Sequence, residues 1–130
     1  MLRAVIDTNV LVSALRSRRG ASYRLISLLG DPRWEPLISV ALILEYESAA
    51  VRTAGELGLA PWIVSAIIDM ICATGRNLPD PGDEFVLELA VAGQAGYIVT
   101  HNLRDFAKAE TFGVRIVTPA EFLRTIGEEP

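Results

Sequence analysis

The sequence has one cysteine, Cys72, one histidine, His101, and one lysine, Lys108. A lone cysteine forms no internal disulfide, and without a Cys or His cluster there is no structural zinc site. Cys72 follows Ile67, Ile68 and Ile71 in an apolar pattern and reads as a small core residue rather than a reactive thiol. His101 has no second imidazole with which to share a metal and no evident serine partner, which speaks against a Ser-His hydrolase. Long apolar runs are also missing. The longest, "PWIVSAIIDMICA", is broken by Asp69 and falls short of the roughly 18–20 residues that a membrane span needs. The start of the chain lacks the basic region, apolar stretch and small-residue cleavage site of a secretory signal, so the expected location is the cytoplasm. Positive charge is not in excess either. A net charge of −4 argues against binding nucleic acid through overall potential alone, but not against an enzyme that meets phosphates through bound cations.

Apolar material, in contrast, is plentiful. Hydrophobic residues make up 51% of 130 residues, enough for a full core and too many for a disordered chain. No repeat, low-complexity stretch or linker interrupts residues 1–130, which are read as one domain of ordinary size. Of the 12 cations, all but Lys108 are arginine, the better bidentate partner for phosphate. Arg16, Arg18, Arg19 and Arg24 are grouped closely, either as a solvated turn and helix face or as a phosphate-holding patch.

Short apolar strands alternate with helical segments. Strands are expected at Arg3 to Ile6, in "EPLIS", briefly in "RNLP", in "GYIVT" and in "RIV". Helices are expected over Asn9 to Leu15, Ser22 to Leu29, Val40 to about Thr53 behind an N-capping Ser39, Pro61 to about Thr74, from "DPGD" to about Gly93, and Pro119 to Ile126. This alternation predicts an α/β fold with a parallel sheet covered on both faces. In such sheets ligands bind beyond the carboxyl ends of the strands.

Four acids stand near such positions. Asp7 follows the first strand, Glu45 lies in the helix after the second, Asp83 in the first turn of the "DPGD" helix, and Asp105 after "YIVT". Each also has a plain structural reading. Asp7 can cap the following helix, as can Thr8 or Asn9; Glu45 can be a solvated helix residue; Asp80 and Asp83 suit a helix start; Asp105 can cap a turn. Taken together they form a set of hard oxygen donors suited to Mg²⁺ or Mn²⁺. A cation removes the mutual repulsion that such a cluster otherwise suffers, and it can activate water against a phosphodiester.

The segments "VIDTNVLVSAL", "LISVALILEYESAAVR", "DPGDEFVLELAVAGQAGYIVTHNLRDF" and "GVRIVTPAEFL", in this order over nearly the whole chain, resemble a PIN domain. The likeness extends to prokaryotic PIN proteins that act as toxins of toxin–antitoxin pairs, similar to VapC-type toxins. The resemblance implies a three-layer α/β/α sandwich and an endoribonuclease dependent on Mg²⁺ or Mn²⁺. By position, Asp7, Glu45 and Asp83 would be metal ligands and catalytic acids, with Asn9 and Thr100 supporting the site. The family's fourth acid falls either where Asn102 stands or at Asp105; here the first position is an amide, so Asp105 serves. Arg16, Arg18 or Arg19 would contact flanking phosphates of the RNA. The resemblance also implies a homodimer held in check by a cognate antitoxin. Trp34 and Trp62 are then either apolar anchors for that partner or edge-of-core residues.

Two other readings follow from the same residues. Asn102 in place of an acid is compatible with a PIN fold kept for binding RNA or protein, with hydrolysis weakened or lost. An Asp after the first strand also begins phosphotransferases of the haloacid-dehalogenase type. Those want a second acid where Asn9 stands and a lysine in the site, for which Lys108 is the sole candidate.

Overall fold

The computed structural model describes residues 1–79 and 85–128. Strand β1 (Leu2–Ile6) leads into α1 (Thr8–Arg16) and α2 (Ala21–Ser27), then β2 (Trp34–Ile38), α3 (Val40–Leu57), α4 (Pro61–Thr74) and β3 (Arg76–Asn77). Helix α5 (Phe85–Ala92), β4 (Tyr97–Val99), a 3-10 segment (Leu103–Phe112), β5 (Arg115–Val117) and α6 (Pro119–Thr125) follow. The five strands form one sheet in the order β3-β2-β1-β4-β5, and every pairing is parallel.

The central strand explains why the sheet is covered on both sides. Ala4, Val5 and Ile6 are each almost fully buried. Successive strand residues face opposite ways, and the two faces feed two different cores. Val5 packs with Leu37, Leu42, Tyr46, Leu89 and Ile98 beneath α3, α4 and α5. Ala4 and Ile6 pack with Leu25, Trp34, Val99, Phe122 and Leu123 beneath α2 and α6. Full burial of a Leu, Val, Ile or Phe contributes about 1.5–3 kcal/mol, so both layers are needed to stabilise the sheet. Trp34 belongs to the second core. It meets Phe122 edge to face at 5.5 Å, and its indole N–H donates to the Leu28 carbonyl at 3.1 Å.

Local chemistry sets the helix ends. Ser39 accepts the Leu42 N–H at 3.2 Å and starts α3, as its sequence position predicts. Thr118 and Glu121 form a capping box around Pro119 at the start of α6. Helix α3 continues past the expected Thr53 to Leu57. Burial of Thr53 and Ala54 outweighs the penalty of Gly55, about 1 kcal/mol in a helix interior. Gly58, at φ +69°, then ends the helix in the left-handed conformation.

One segment with no assigned element takes a defined form, and the expectation for Cys72 changes. The segment Leu103–Phe112 carries no clear apolar period, yet it forms 3-10 turns with a kink at Phe106, held down by buried Ala109 and closed by Gly113 at φ +79°. Cys72 is exposed rather than a core residue. Helix α4 buries Val64, Ile68 and Ile71, and the next residue is turned about 100° away from Ile71 on a helix of 3.6 residues per turn. Among the described residues no helix is long and apolar enough to cross a membrane.

Candidate active site

The strand order places a crevice at one point of the sheet. From β1 the chain moves to β2 and β3 on one side; from β4 it moves to β5 on the other. The segments leaving the carboxyl ends of β1 and β4, which are neighbours, therefore diverge. This is the topological switch point where open parallel sheets bind ligands. Asp7 leaves β1 there, and Thr100 leaves β4.

Asp7 is half-buried, and both carboxylate oxygens are engaged. Its Oδ1 accepts the Thr8 backbone N–H at 2.9 Å, and its Oδ2 accepts the Thr100 hydroxyl at 2.8 Å. The Asp7 backbone N–H donates to the Val99 carbonyl at 2.9 Å, which ties the end of β1 to the end of β4. Asp7 is also the N-cap of α1, so the capping role and the place in the crevice coincide in one residue.

Fixed contacts run outward from Asp7 in both directions. On one side Thr8 links two acids: its N–H goes to Asp7, and its hydroxyl donates to Glu45 Oε2 at 2.5 Å. Tyr46, fully buried beside Glu45, donates its hydroxyl to the Ile6 carbonyl and anchors α3 against the end of β1. On the other side the Thr100 hydroxyl accepts from Asn102 N at 2.9 Å and from Asn9 Nδ2 at 3.2 Å. Asn9 Oδ1 in turn accepts the His101 N–H at 3.2 Å. Asn102 Nδ2 donates to Asp105 Oδ2 at 2.7 Å. The amide at position 102 thus holds the acid that stands three residues later.

The electrostatics follow from this crowding. Burial, the largest effect, raises the Asp7 carboxyl above its ordinary value. The Thr100 and Thr8 hydrogen bonds oppose the rise, while the nearby charges of Glu45 and Asp105 add to it. Burial, with Asp7 and Glu45 close by, also pushes the Tyr46 phenol well above its usual range. The charges acting on Asp7 are both acidic.

The donors here are carboxylate, hydroxyl and amide oxygens, the chemistry that suits a hard divalent cation and not zinc or copper. Asp83 and Asp80 lie outside the described residues. Among the described residues no group of three or more His, Cys, Asp or Glu side chains stands close enough to hold a metal unaided. Glu45 and Asp105 are near enough for their charges to be felt at Asp7.

The arginines are placed elsewhere. Arg16 pairs with Glu56 at 2.9 Å, and both side chains are about half exposed. Glu56 lies about three turns, or 16 Å of helix axis, beyond Glu45. Arg18 lines an apolar groove of about 450 Å³ with Leu15, Tyr23, Leu59, Trp62 and Met70. Arg19 is exposed in the turn before α2.

Sequence reasoning missed three participants. Thr8 appeared only as an alternative cap, yet it joins Asp7 to Glu45. Tyr46 carried no signal beyond its place in an apolar run. Ser22 is the partner that His101 was expected to lack: Ser22 Oγ lies 2.7 Å from His101 Nε2. With the two residues 79 positions apart, no local pattern announces the pair. Ser22 is only 2% exposed and cannot reach a substrate as a nucleophile, so the contact does not make a Ser-His hydrolase.

A family model described as PIN domain matches residues 3–104, which take in Asp7, Glu45 and Asp83 and stop just before Asp105. No curated protein and no solved structure matches the chain. The five-stranded parallel sheet between two helical layers has the arrangement expected of that family. The match spans most of the chain, and the chain belongs to the PIN domain family.

Proposed function

We propose that this PIN domain is an endoribonuclease dependent on Mg²⁺ or Mn²⁺ and serves as the toxin of a type II toxin–antitoxin pair. PIN domains are nucleases in general, which sets the reaction class. The observation that carries the reading is Asp7. It is a half-buried carboxylate at the switch point, fixed through both oxygens and surrounded by acidic charge. A protein that needed only a helix cap has no use for that repulsion.

In this reading Asp7, Glu45, Asp83 and Asp105 hold the cation. When bound, the ion lowers the pKa of a water and offsets charge developing on the phosphodiester. The chain supplies orientation. Thr8 and Thr100 fix the two faces of the Asp7 carboxylate, Asn9 locks Thr100, and Asn102 aims Asp105. Arg18 and Arg19 are the cations of the basic turn available for flanking phosphates, since Arg16 is engaged with Glu56. The groove beside Arg18 is assigned to an apolar antitoxin segment, with an acidic side chain facing that arginine. Trp62, 69% exposed, is its anchor, whereas Trp34 is spent in the core.

The test is Mn²⁺-dependent cleavage of structured RNA. Asp7→Asn and Glu45→Gln are expected to lower the rate at least about 100-fold, beyond what loss of a supporting partner costs. Wild type and Asp7→Asn behaving alike, with or without metal, removes the nuclease reading and leaves the binding-module alternative. A trapped phospho-aspartate instead points to the phosphotransferase.

A further inference from the structure

His101 stands between Thr100, which holds Asp7, and Asn102, which holds Asp105. Its backbone is fixed by Asn9. Its ring is fixed separately, because Nε2 meets the hydroxyl of Ser22 on α2. The residue is nonetheless exposed, so an imidazole held by Ser22 has solvent access on the segment between Thr100 and Asn102.

The Ser22 contact decides which ring nitrogen carries the proton. The Ser22 hydroxyl is buried, and among the described residues its one hydrogen-bond partner is His101 Nε2. A buried hydroxyl proton without an acceptor costs about 1–3 kcal/mol. The hydroxyl therefore donates to Nε2, and in the neutral ring the proton lies on Nδ1. Protonation of the ring leaves Nδ1 a donor as well. Nδ1 has no partner among the described residues. The molecule thus carries a held N–H donor on the segment between Thr100, which holds Asp7, and Asn102, which holds Asp105.

We propose that His101 binds a phosphate of the RNA strand through Nδ1–H, and that Ser22 sets the ring for it. This rests on the ribonuclease reading above and adds a substrate-binding residue to it. A polyanion entering an acidic pocket needs donors at the rim. A neutral imidazole N–H meets that need without a cation that would compete for the carboxylates. Ser22 acts only through the ring and is a positioning residue.

Steady-state cleavage of a labelled RNA in Mn²⁺ separates binding from chemistry. A hydrogen bond to a charged group contributes about 1.5–3 kcal/mol, so His101→Ala is expected to raise KM at least about tenfold while kcat stays within about twofold. His101→Gln keeps an acceptor for Ser22 and a donor for phosphate on one rigid plane and is expected to recover most of the loss. Ser22→Ala is expected to fall between. A merely structural tie predicts that all three lower the melting temperature with KM unchanged, and that result overturns the proposal. Wild type that fails to cleave overturns the nuclease reading instead. Fluorescence anisotropy of the same RNA with EDTA present then decides the role of His101. About tenfold weaker binding by His101→Ala, restored by His101→Gln, supports it, and equal binding overturns it.

Discussion

At the scale of the residue, Asp7 combines two demands that pull in opposite directions. As a helix cap it is stabilised by the Thr8 N–H; as a half-buried acid near Glu45 and Asp105 it is destabilised when charged. Its folded pKa is raised, so the folded state holds the proton more tightly than the unfolded one. The sign follows from linkage: Asp7's contribution to stability is greatest below the ordinary carboxyl value of 3.8 and declines as pH rises through the raised folded value. Asp31 and Glu128 run the other way. Arg33 lowers both, Asp31 to about 2, and Arg24 also lowers Glu128, so their stabilisation is lost in acid. A bound cation reverses the Asp7 penalty only where the carboxylate is ionised. Melting curves with Mn²⁺ and with EDTA are expected to differ more at pH 7 than at pH 4. In Asp7→Asn most of that pH-dependent difference should vanish. An equal increment at both pH values, or one retained in Asp7→Asn, places the ion elsewhere.

At the scale of the element, the crevice depends on where α3 is set against the sheet, and the core behind the sheet depends on α5. Ser39 fixes the start of α3 and so the height of Glu45 above β1. The residue after α5, Gly93, sits where that helix turns back toward β4. A Cβ there would lie 2.5 Å from Leu37 Cδ1, 2.7 Å from Leu78 Cδ1 and 3.2 Å from the Leu89 carbonyl. Leu37 is fully buried and has no room to swing aside. Gly93→Ala is expected to cost about 1–3 kcal/mol, as overpacked cores do. Urea unfolding checks this, and a change under 0.5 kcal/mol, roughly the surface-substitution level, would mean that α5 is free to shift.

At the scale of the whole molecule, the crevice at Asp7 and the apolar groove beside Arg18 share no lining residue, and under the proposed function an antitoxin would have to answer to both. Trp62 gives the groove a direct optical probe, because Trp34, the only other tryptophan, is buried against Phe122. Docking of an antitoxin is expected to shift the emission of Trp62 to the blue. Trp62→Ala is expected to weaken the complex at least about tenfold, as loss of a buried aromatic anchor does, without loss of fold. Titration calorimetry with the co-expressed antitoxin measures it, and unchanged affinity rules out the groove as the docking site.

The alternation of short apolar strands with helices is a local property of the chain. It by itself determined the parallel sheet, its two covering layers and most element boundaries, because period 2 and period 3.6 are written in neighbouring residues. It also placed Asp7 and Thr100 at strand ends, since a polar residue that ends an apolar run has few other places to be. What tertiary structure alone decided are the meetings across long separations. Thr8 reaches Glu45, Ser22 reaches His101, and Cys72 turns outward although its neighbours look like core. Such contacts depend on strand order, on the rotation of each helix about its axis and on the angle at which it crosses the sheet. None of these is fixed by the residues on either side of the contact. The Asn102–Asp105 contact is of the other kind: it spans three residues, and the local 3-10 turn brings the amide against the acid.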